Sequence, residues 1–260
     1  MISLLAPSKT MNLTSHKMVV PTSKPQFLSE AAEIVNVVQS LDDSDLAKLM
    51  KVSMAISQAT HGKYQQWGKV TQPAVYVYRG DVYKGFYSDT LSQDDLVWAN
   101  EHIMILSGLY GLLRLSDEVS AYRLEMGLKL PIGTAKNLYE FWGNRLAEWI
   151  ETQADGVVCI LSSQEYAKPV TAHIKRSELV MPVFTDNKPN GKVGTVPIYS
   201  KMMRGVMARW IIDHRVNTPE GLRDFTGHGY AFDTIHSTRL RPVFHRNEMK
   251  PLQFNSPSMV

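Results

Sequence analysis

Cysteine is nearly absent from this 260-residue chain, and the lone Cys159 can form no disulfide within it. The eight histidines show no spacing typical of metal ligands, and there is no Cys-x-x-Cys pair. We therefore expect no metal site and no cofactor. A Gly-x-Ser-x-Gly motif is also missing and Cys159 lies in an apolar run, so nothing in the sequence supports nucleophilic hydrolysis.

Long apolar runs are missing too. No stretch approaches the roughly 18–20 residues that a membrane helix needs, and the N-terminus lacks the basic segment of a signal peptide. We therefore expect a soluble, cytoplasmic protein and a monomer. No repeat or linker interrupts the sequence before residue 247, which predicts a single domain over residues 1–247. Residues 248–260 lack periodicity and are predicted to form a loose tail.

Charge is unevenly distributed along the chain. Residues 1–160 carry 14 Lys and Arg against 17 Asp and Glu, whereas residues 161–260 carry 14 against 8. A basic C-terminal part indicates an anionic partner such as nucleic acid, a nucleotide or phosphate. The same count also fits a solvated basic face beside an acidic one.

Strand-like runs alternate with segments of helical period. The predicted strands are Ile2–Leu5, Ala74–Tyr78, Val157–Leu161, Leu179–Phe184, Val193–Tyr199, Tyr230–Asp233 and Pro242–His245. The predicted helices are Phe27–Leu41 with Ser29 as its N-cap, Asp43–Val52, Asn137–Thr152 and Lys201–Arg215. An Asn-Gly pair at 190–191 predicts a hairpin between the fourth and fifth strands. The pattern predicts an α/β fold with a mixed sheet and surrounding helices.

The predicted helix Lys201–Arg215 separates an apolar face from a basic one, at about 100° per residue. The apolar face holds Met203, Val206, Met207, Trp210 and His214, and the basic face holds Lys201, Arg204, Gly205, Ala208 and Arg215. A flat basic face would let a phosphate backbone approach closely. Glycine inside a helix destabilises it by about 1 kcal/mol relative to alanine, so another contact should compensate for Gly205. Close packing of a neighbouring helix at Gly205 is the alternative to a phosphate contact.

Two short segments have features of phosphate-binding loops. Ala6–Thr10 joins a lysine to hydroxyls after a strand, but lacks the two glycines of an NTPase loop. Lys9 would therefore hold a single phosphate at most, or lie in an ordinary surface turn. Leu106–Arg114 contains Gly108-x-x-Gly111 between apolar flanks, as in a helix–hairpin–helix that binds duplex phosphates through backbone amides. A plain turn between two helices fits nearly as well.

Three polar clusters follow apolar runs, where α/β proteins keep their functional sites. Their functional side chains are Asp81, Tyr83, Tyr122, Arg123, Glu125, Ser163 and Glu165. If these converge, Asp81, Glu125 and Glu165 could act as general acid or base, with Lys9 and Lys201 holding a phosphate. The alternative hypothesis is therefore an enzyme acting on a nucleotide or nucleic-acid substrate. Structural arginine–carboxylate pairs would explain the same residues without catalysis.

Taken together, these segments resemble the bacterial YaaA family of peroxide stress proteins. The matching stretches follow one another through nearly all of residues 1–247: Ala6–Thr10, Arg79–Tyr83, Leu106–Arg114 (LSGLYGLLR), Tyr122–Gly127 (YRLEMG), Asn137–Gly143 (NLYEFWG), Ser163–Tyr166, Pro182–Phe184, Lys201–Ile211 (KMMRGVMARWI) and Gly229–Asp233. The resemblance implies a compact α/β domain with a positively charged cleft and a helix–hairpin–helix-like element.

The resemblance further implies binding of double-stranded DNA, protection against hydrogen peroxide, and limitation of iron-dependent (Fenton) damage, with no established catalytic activity. Carried onto this sequence, the DNA-contacting residues are Lys9, Lys201, Arg204 and Arg209, with Gly108 and Gly111 in the hairpin. No recognition helix with base-reading side chains stands out, so low sequence specificity is expected.

The chain departs from the family's pattern at three places. Ala6 stands where Ser is usual, Leu115-Ser116 replaces a Pro-containing turn, and Met202 stands where a second lysine is common. The last change removes one cationic contact from the basic helix. DNA binding is the principal hypothesis, and the enzyme is the alternative.

Overall fold

A five-stranded sheet forms the centre of the computed structural model, which describes residues 1–14, 21–188, 191–247 and 251–252. The predicted tail at 248–260 lies outside the described residues except for Pro251 and Leu252, and so does Asn190 of the predicted Asn-Gly turn. Within these ranges, no helix combines the length and the apolar character needed to cross a membrane.

Strands and helices alternate along the chain, as the sequence pattern predicts. The strands are β1 (Ile2–Leu5), β2 (Thr10–Met11), β3 (Gln72–Pro73), β4 (Tyr78–Arg79), β5 (Ile103–Ser107), β6 (Gly111–Arg114), β7 (Glu118–Val119), β8 (Val157–Leu161), β9 (Glu178–Val180), β10 (Val183–Asn187), β11 (Val193–Gly194), β12 (Tyr230–Phe232) and β13 (Val243–Arg246). The helices are α1 (Leu28–Ser40), α2 (Asp43–Met50), α3 (Met54–Gln65), α4 (Ala74–Val77), α5 (Asp81–Phe86), α6 (Gln93–His102), α7 (Leu138–Trp142), α8 (Arg145–Gln153), α9 (Gln164–Thr171) and α10 (Pro197–Asp213). The mixed α/β class is confirmed.

The central sheet has the strand order β6-β5-β1-β8-β9. β1 pairs in parallel with both β5 and β8, β9 is parallel to β8, and β6 is antiparallel to β5. Burial on both faces explains why β1 and β8 are apolar almost throughout. In this order, the chain continues from β1 to β5 toward one edge of the sheet, and from β8 to β9 toward the other edge. The carboxyl ends of β1 and β8 therefore border a crevice of the kind in which α/β proteins bind ligands.

A second sheet, of order β11-β10-β13-β12, packs beside the long helix α10. β10 and β11 form the predicted antiparallel hairpin. The predicted strand Leu179–Phe184 is two strands, because β9 ends at Val180 in the central sheet and β10 begins at Val183 in the second. The predicted strand Val193–Tyr199 is shorter than expected because Pro197 begins α10. Proline is favoured at the first position of a helix, where a backbone N–H would have no partner within the helix.

Helix α10 is buried over most of its length, which corrects the predicted basic face. Met203, Val206, Met207 and Trp210 are buried as expected, but Gly205 and Ala208 are buried too, and His214 is exposed against the ring of Trp210. A Cβ added at Gly205 would lie 1.8 Å from the carbonyl oxygen of Val82 in α5. Gly205 is therefore the contact point of two helices. Of the three cations on the expected basic face, Lys201 and Arg204 remain available, whereas Arg215 lies beyond α10 and pairs with Asp95 at 2.7 Å.

Three local predictions need correction. Ala74–Tyr78 forms the short helix α4 and only enters a strand at Tyr78, although its apolar run reads as a strand. Asn137–Thr152 is divided into α7 and α8 by Gly143, whose φ of 51° ends the first helix. α1 covers the predicted helix, but Phe27 occupies the N-cap position and Ser29 does not cap it.

The helix–hairpin–helix prediction for Leu106–Arg114 is wrong. This segment is a β-hairpin in which β5 and β6 pair antiparallel, from Met104 opposite Arg114 to Ser107 opposite Gly111. Gly111 adopts φ +68°, and an added Cβ there would meet the Trp142 ring at 2.7 Å. Gly108 is packed just as tightly, against the backbone of Leu124. Both glycines serve the core, so neither presents its amide to a phosphate.

Candidate functional site

A cavity of about 530 Å³ opens at the carboxyl ends of β1 and β8. The loop after β1, the start of α5, the loop before α9 and the first turns of α10 enclose it. We call it the site cavity, and its lining residues are Ala6, Pro7, Ser8, Lys9, Thr10, Gly80, Asp81, Val82, Tyr83, Glu125, Ser163, Glu165, Tyr166, Lys201 and Arg204. All three polar clusters predicted from the sequence contribute to it, together with the predicted Lys9 loop.

Two cations of the site cavity lack an anionic partner. The side chains of Lys201 and Arg204 form no ion pair and no hydrogen bond with any residue that the structure describes. They lie three residues apart on α10, so they project from the same face of the helix. Partial burial lowers the pKa of the Arg204 guanidinium from its ordinary value. A partly desolvated cation without a carboxylate is unfavourable by itself, and a bound anion would stabilise it.

Glu125 is held against the wall of the cavity by cations. Its Oε1 lies 2.8 Å from Nζ of Lys9 and 3.6 Å from a terminal nitrogen of Arg123. Its Oε2 is buried and accepts no hydrogen bond within the described structure. Lys9 remains 63% exposed in its side chain. It can therefore turn toward a ligand while Arg123 keeps the Glu125 carboxylate in place.

Glu165 and Ser163 supply hydrogen-bond acceptors on another wall. The backbone N–H of Gly127 donates to Oε1 of Glu165 at 3.1 Å, and the Tyr139 hydroxyl donates to the Glu165 backbone carbonyl at 3.1 Å. Oε2 of Glu165 and the hydroxyl of Ser163 have no partner among the residues described. Glu165 is thus fixed in position with one carboxylate oxygen available to a ligand.

Two tyrosine rings line the site cavity as neutral walls. The Tyr83 hydroxyl donates to the carbonyl of Ala6 at 3.0 Å, and the ring stacks on Tyr78. Tyr166 lies at the start of α9, on the same side of the cavity as Glu165. Burial raises the pKa of both phenols, so they stay protonated at neutral pH. Fixed neutral rings of this kind offer surfaces on which a flat ligand ring can stack.

A second groove adjoins the site cavity across Gly80 and Tyr83, which line both. This groove has a volume of about 380 Å³ and runs along α5 toward the turn that follows it. Its two cations are each beside a carboxylate: Arg79 lies 3.7 Å from Asp89, and Lys84 lies 3.6 Å from Asp81. The site therefore continues beyond the cavity along α5 to the turn at its C-terminal end.

Five residues predicted from the sequence do not line the cavity, and one of them, Arg123, contacts it only through Glu125. Arg209 is a structural residue: its guanidinium pairs with Asp213 at 2.8 Å and donates to the Tyr87 carbonyl. Gly108 and Gly111 are in the buried β-hairpin. Tyr122 is buried in a polar cluster, where its hydroxyl meets those of Ser107 and Tyr78 at 2.7 and 2.8 Å. Of the six predicted DNA-contacting residues, the cavity contains Lys9, Lys201 and Arg204.

The charge of the cavity is mixed. Lys9, Lys201 and Arg204 are matched in number by Asp81, Glu125 and Glu165 among the lining residues. Because Glu125 is paired with Lys9 and Arg123, the charges free to meet a ligand are positive at α10 and negative at α9. This arrangement suits a ligand that carries both an anionic group and hydrogen-bond donors.

Cys159 is expected to be inert to hydrogen peroxide. It is fully buried in β8, and burial raises the pKa of its thiol to about 12. The thiolate, which is the reactive form, is therefore scarce at neutral pH. A sulfenic-acid-selective probe should not label the native protein after peroxide treatment, and thiol titration after unfolding should recover one intact thiol. Oxidation of Cys159 in the native protein at millimolar peroxide would contradict this expectation.

Comparison with known proteins agrees with the sequence motifs. Residues 1–236 match the family described as "Peroxide stress protein YaaA". A UPF0246 protein of Bordetella pertussis (strain Tohama I) is 38% identical over 257 residues, covering 95% of this chain and 100% of the relative. UPF0246 proteins of Marinomonas sp. (strain MWYL1) and Chromobacterium violaceum are each 39% identical, over 94% and 95% of this chain and 96% and 99% of the relatives. The resemblance is confirmed, and the chain belongs to the peroxide stress protein YaaA family.

Proposed function

We propose that this protein protects against peroxide by binding double-stranded DNA with low sequence specificity, through phosphates held at the site cavity. The observation that carries the proposal is the pair Lys201 and Arg204, which line the cavity without an acidic partner in the described structure. Lysine and arginine are the side chains that neutralise DNA phosphates, and the planar guanidinium can bind one phosphate through two hydrogen bonds. Lys9 adds a third, mostly exposed cation.

The proposed protection is indirect with respect to iron. The protein would occupy DNA at which iron-dependent (Fenton) chemistry otherwise causes damage, in the cytoplasm where the chromosome lies. Among the residues described, no group of three or more His, Cys, Asp or Glu side chains is placed to hold a metal ion. Phosphate contacts position a protein on DNA without reading its bases, which is the physical reason to expect low sequence specificity.

DNA binding by the wild-type protein should depend steeply on salt. Neutralising about three to five phosphates predicts a roughly 40- to 500-fold loss of affinity between about 50 and 200 mM salt. Replacing both Lys201 and Arg204 with alanine removes about two contacts, so binding should weaken and the salt slope should flatten by about 2. Fluorescence anisotropy with a labelled duplex at several salt concentrations measures both quantities.

The matched control for this experiment is the double variant Lys69→Ala and Lys175→Ala. It removes the same charge from two exposed lysines that do not line the cavity. The control should lower affinity only slightly and leave the slope near the wild-type value. Equal slopes for the Lys201/Arg204 variant and the wild type would contradict the placement of the site, and no binding of any DNA at low salt would contradict the function itself.

A second candidate function is an enzyme that acts on a nucleotide or nucleic-acid substrate. The specific observation is that Asp81, Glu125 and Glu165 line one cavity with Lys9 and Lys201. General acid–base catalysis needs carboxylates within reach of a substrate that other groups hold in place. Here Lys201 and Arg204 would hold a phosphate, and a carboxylate would exchange a proton with the sugar or the base.

Turnover of labelled nucleotides and oligonucleotides tests the enzyme hypothesis. If Glu125 takes part, Glu125→Gln should reduce product formation by about 10²- to 10⁴-fold, the usual contribution of a general acid or base. The amide keeps the size of the side chain but cannot exchange the proton. Equal product from the variant and the wild type would remove Glu125 from the mechanism, and no product from the wild type would favour binding alone.

A further inference from the structure

The site cavity has unpaired cations on one side and hydrogen-bond acceptors without donors on the other, among the residues described. On α10, Lys201 and Arg204 lack an anionic partner within the described part of the chain. At the start of α9, the Glu165 Oε2 and the Ser163 hydroxyl lack a donor there. A carboxylate accepts hydrogen bonds and donates none, so the ligand must bring O–H or N–H groups to Glu165. A bare phosphate would satisfy the cations and be repelled by this carboxylate.

The size and the lining residues of the cavity further restrict the class of ligand that it can bind. Its volume of about 530 Å³ falls within the range of small-molecule sites and is far too small for a double helix. Tyr83 and Tyr166 line it, and the hydrogen bond from the Tyr83 hydroxyl to the Ala6 carbonyl fixes the Tyr83 ring in position. Nucleobases stack on aromatic side chains whatever their sequence, because every base has a π-face. The cavity therefore suits a ligand with one phosphate, several hydrogen-bond donors and one flat ring. A single nucleotide has all three features.

We propose that the site cavity binds one nucleotide unit that is out of its base stack. Arg204 and Lys201 hold the phosphate, Glu165 and Ser163 accept hydrogen bonds from the sugar or base, and Tyr83 and Tyr166 flank the ring. The inference rests on the proposed phosphate-binding function and names the ligand of the same site. Such a nucleotide is either free or extruded from a strand, since proteins that reach a base within DNA turn it out of the duplex.

The adjoining groove favours the extruded nucleotide. It continues the cavity past Gly80 and Tyr83, and Lys84 lines the groove without lining the cavity. A neighbouring phosphate of the same strand could lie there beside Lys84. A trinucleotide should therefore bind more tightly than a mononucleotide, and Lys84→Ala should reduce that gain. A site for free nucleotides would bind both ligands equally tightly.

The decisive measurement compares a fully paired duplex with the same duplex carrying one unpaired base at its centre. The unpaired base is easier to extrude, so wild-type protein should bind that duplex about tenfold or more tightly. Glu165→Gln and Ser163→Ala should each bring the ratio of the two affinities toward one. Loss of a hydrogen bond to a charged acceptor corresponds to roughly 10- to 100-fold in affinity. The neighbouring variant Gln164→Ala, which does not line the cavity, should keep the wild-type ratio.

Competition with mononucleotides and with inorganic phosphate completes the test. Mononucleotides should displace the labelled duplex with the unpaired base at lower concentration than inorganic phosphate does, and Glu165→Gln should remove that advantage. A wild-type ratio of one, or a ratio that Glu165→Gln leaves unchanged while melting temperatures match, would overturn the inference. Paired duplex would still bind in that case, so the proposed function would stand. If paired duplex fails to bind while mononucleotides bind, the proposed function fails and the nucleotide site remains.

Discussion

Replacing Gly205 with alanine is expected to destabilise the protein by roughly 1–3 kcal/mol or more, the cost of overpacking a tight contact. The new Cβ would lie 1.8 Å from the carbonyl oxygen of Val82 and 2.9 Å from the backbone nitrogen of Phe86. Both neighbours are backbone atoms of α5, so relief requires the helix itself to move. Gly85 on α5 also packs closely, since an added Cβ there would lie 2.3 Å from the Met202 carbonyl oxygen of α10, which leaves no room on the other side.

The same substitution should weaken phosphate binding, because α5 carries Asp81 and Tyr83 into the site cavity. Urea denaturation measures the stability change, and anisotropy with a labelled duplex measures binding. Gly62→Ala is the matched control: Gly62 lies within α3, and nothing lies within 4 Å of an added Cβ. That change should stabilise the protein by up to about 1 kcal/mol. Similar stability of the two variants would show that the α5–α10 contact is looser than the structure indicates.

Local sequence patterns were sufficient to predict the strands that are buried on both faces and the helix that buries a single apolar stripe. β1 and β8 are apolar runs buried on both sides, and α1 has one apolar stripe whose members Ala31, Ile34 and Val35 are all buried. In such elements the period of the apolar residues alone determines the structure. The α/β class and several bounds therefore follow from the sequence.

Segments whose structure depends on distant contacts could not be predicted in this way. Leu106–Arg114 has glycines that suit a turn between helices or between strands, and the choice is made by pairing with β5 and packing on Trp142. The exposed face predicted for α10 failed for a similar reason: a wheel places Gly205 opposite the core, but α5 covers that side. The period of the apolar residues identifies a single buried face and assumes that the opposite face is exposed. That assumption does not hold for a helix that is covered on two sides.

The residue types of the site were predictable, and their convergence was not. Lys9, Asp81, Glu125, Ser163 and Glu165 were identified from loops that follow apolar runs, and Lys201 from the predicted basic helix; all six line one cavity. Their meeting depends on the strand order, which places β8 beside β1 although most of the chain separates them. The sequence also gave no indication of which charges pair internally. Glu125 pairs with Lys9 and Arg123, whereas Arg204 pairs with none of the described residues.

Removing the buried carboxylate of Asp186 is expected to cost about 3–5 kcal/mol of stability. Asp186 on β10 accepts from Nε of Arg246 on β13 at 2.7 Å, and the two side chains are only 2% and 3% exposed. The Tyr230 hydroxyl on β12 also donates to Asp186, at 2.7 and 2.8 Å. Burial and the bond to Asp186 raise the pKa of Tyr230, so the phenol keeps the proton that it donates. Asp186→Ala removes the carboxylate that pairs with the buried Arg246 guanidinium.

The effect should reach the site cavity, because the Arg246 guanidinium also lies 5.0 Å from the ring of Tyr199, in the first turn of α10. Glu178→Ala is the matched control. It removes a carboxylate from Arg239 in an ion pair whose side chains are 45% and 46% exposed, and such surface pairs contribute at most about 1 kcal/mol. Urea denaturation should therefore separate the two variants by at least about 2 kcal/mol. Equal losses would mean that water reaches Arg246 once the carboxylate is gone, and the second sheet would then be held by its apolar side chains, Phe184 and Phe244 among them.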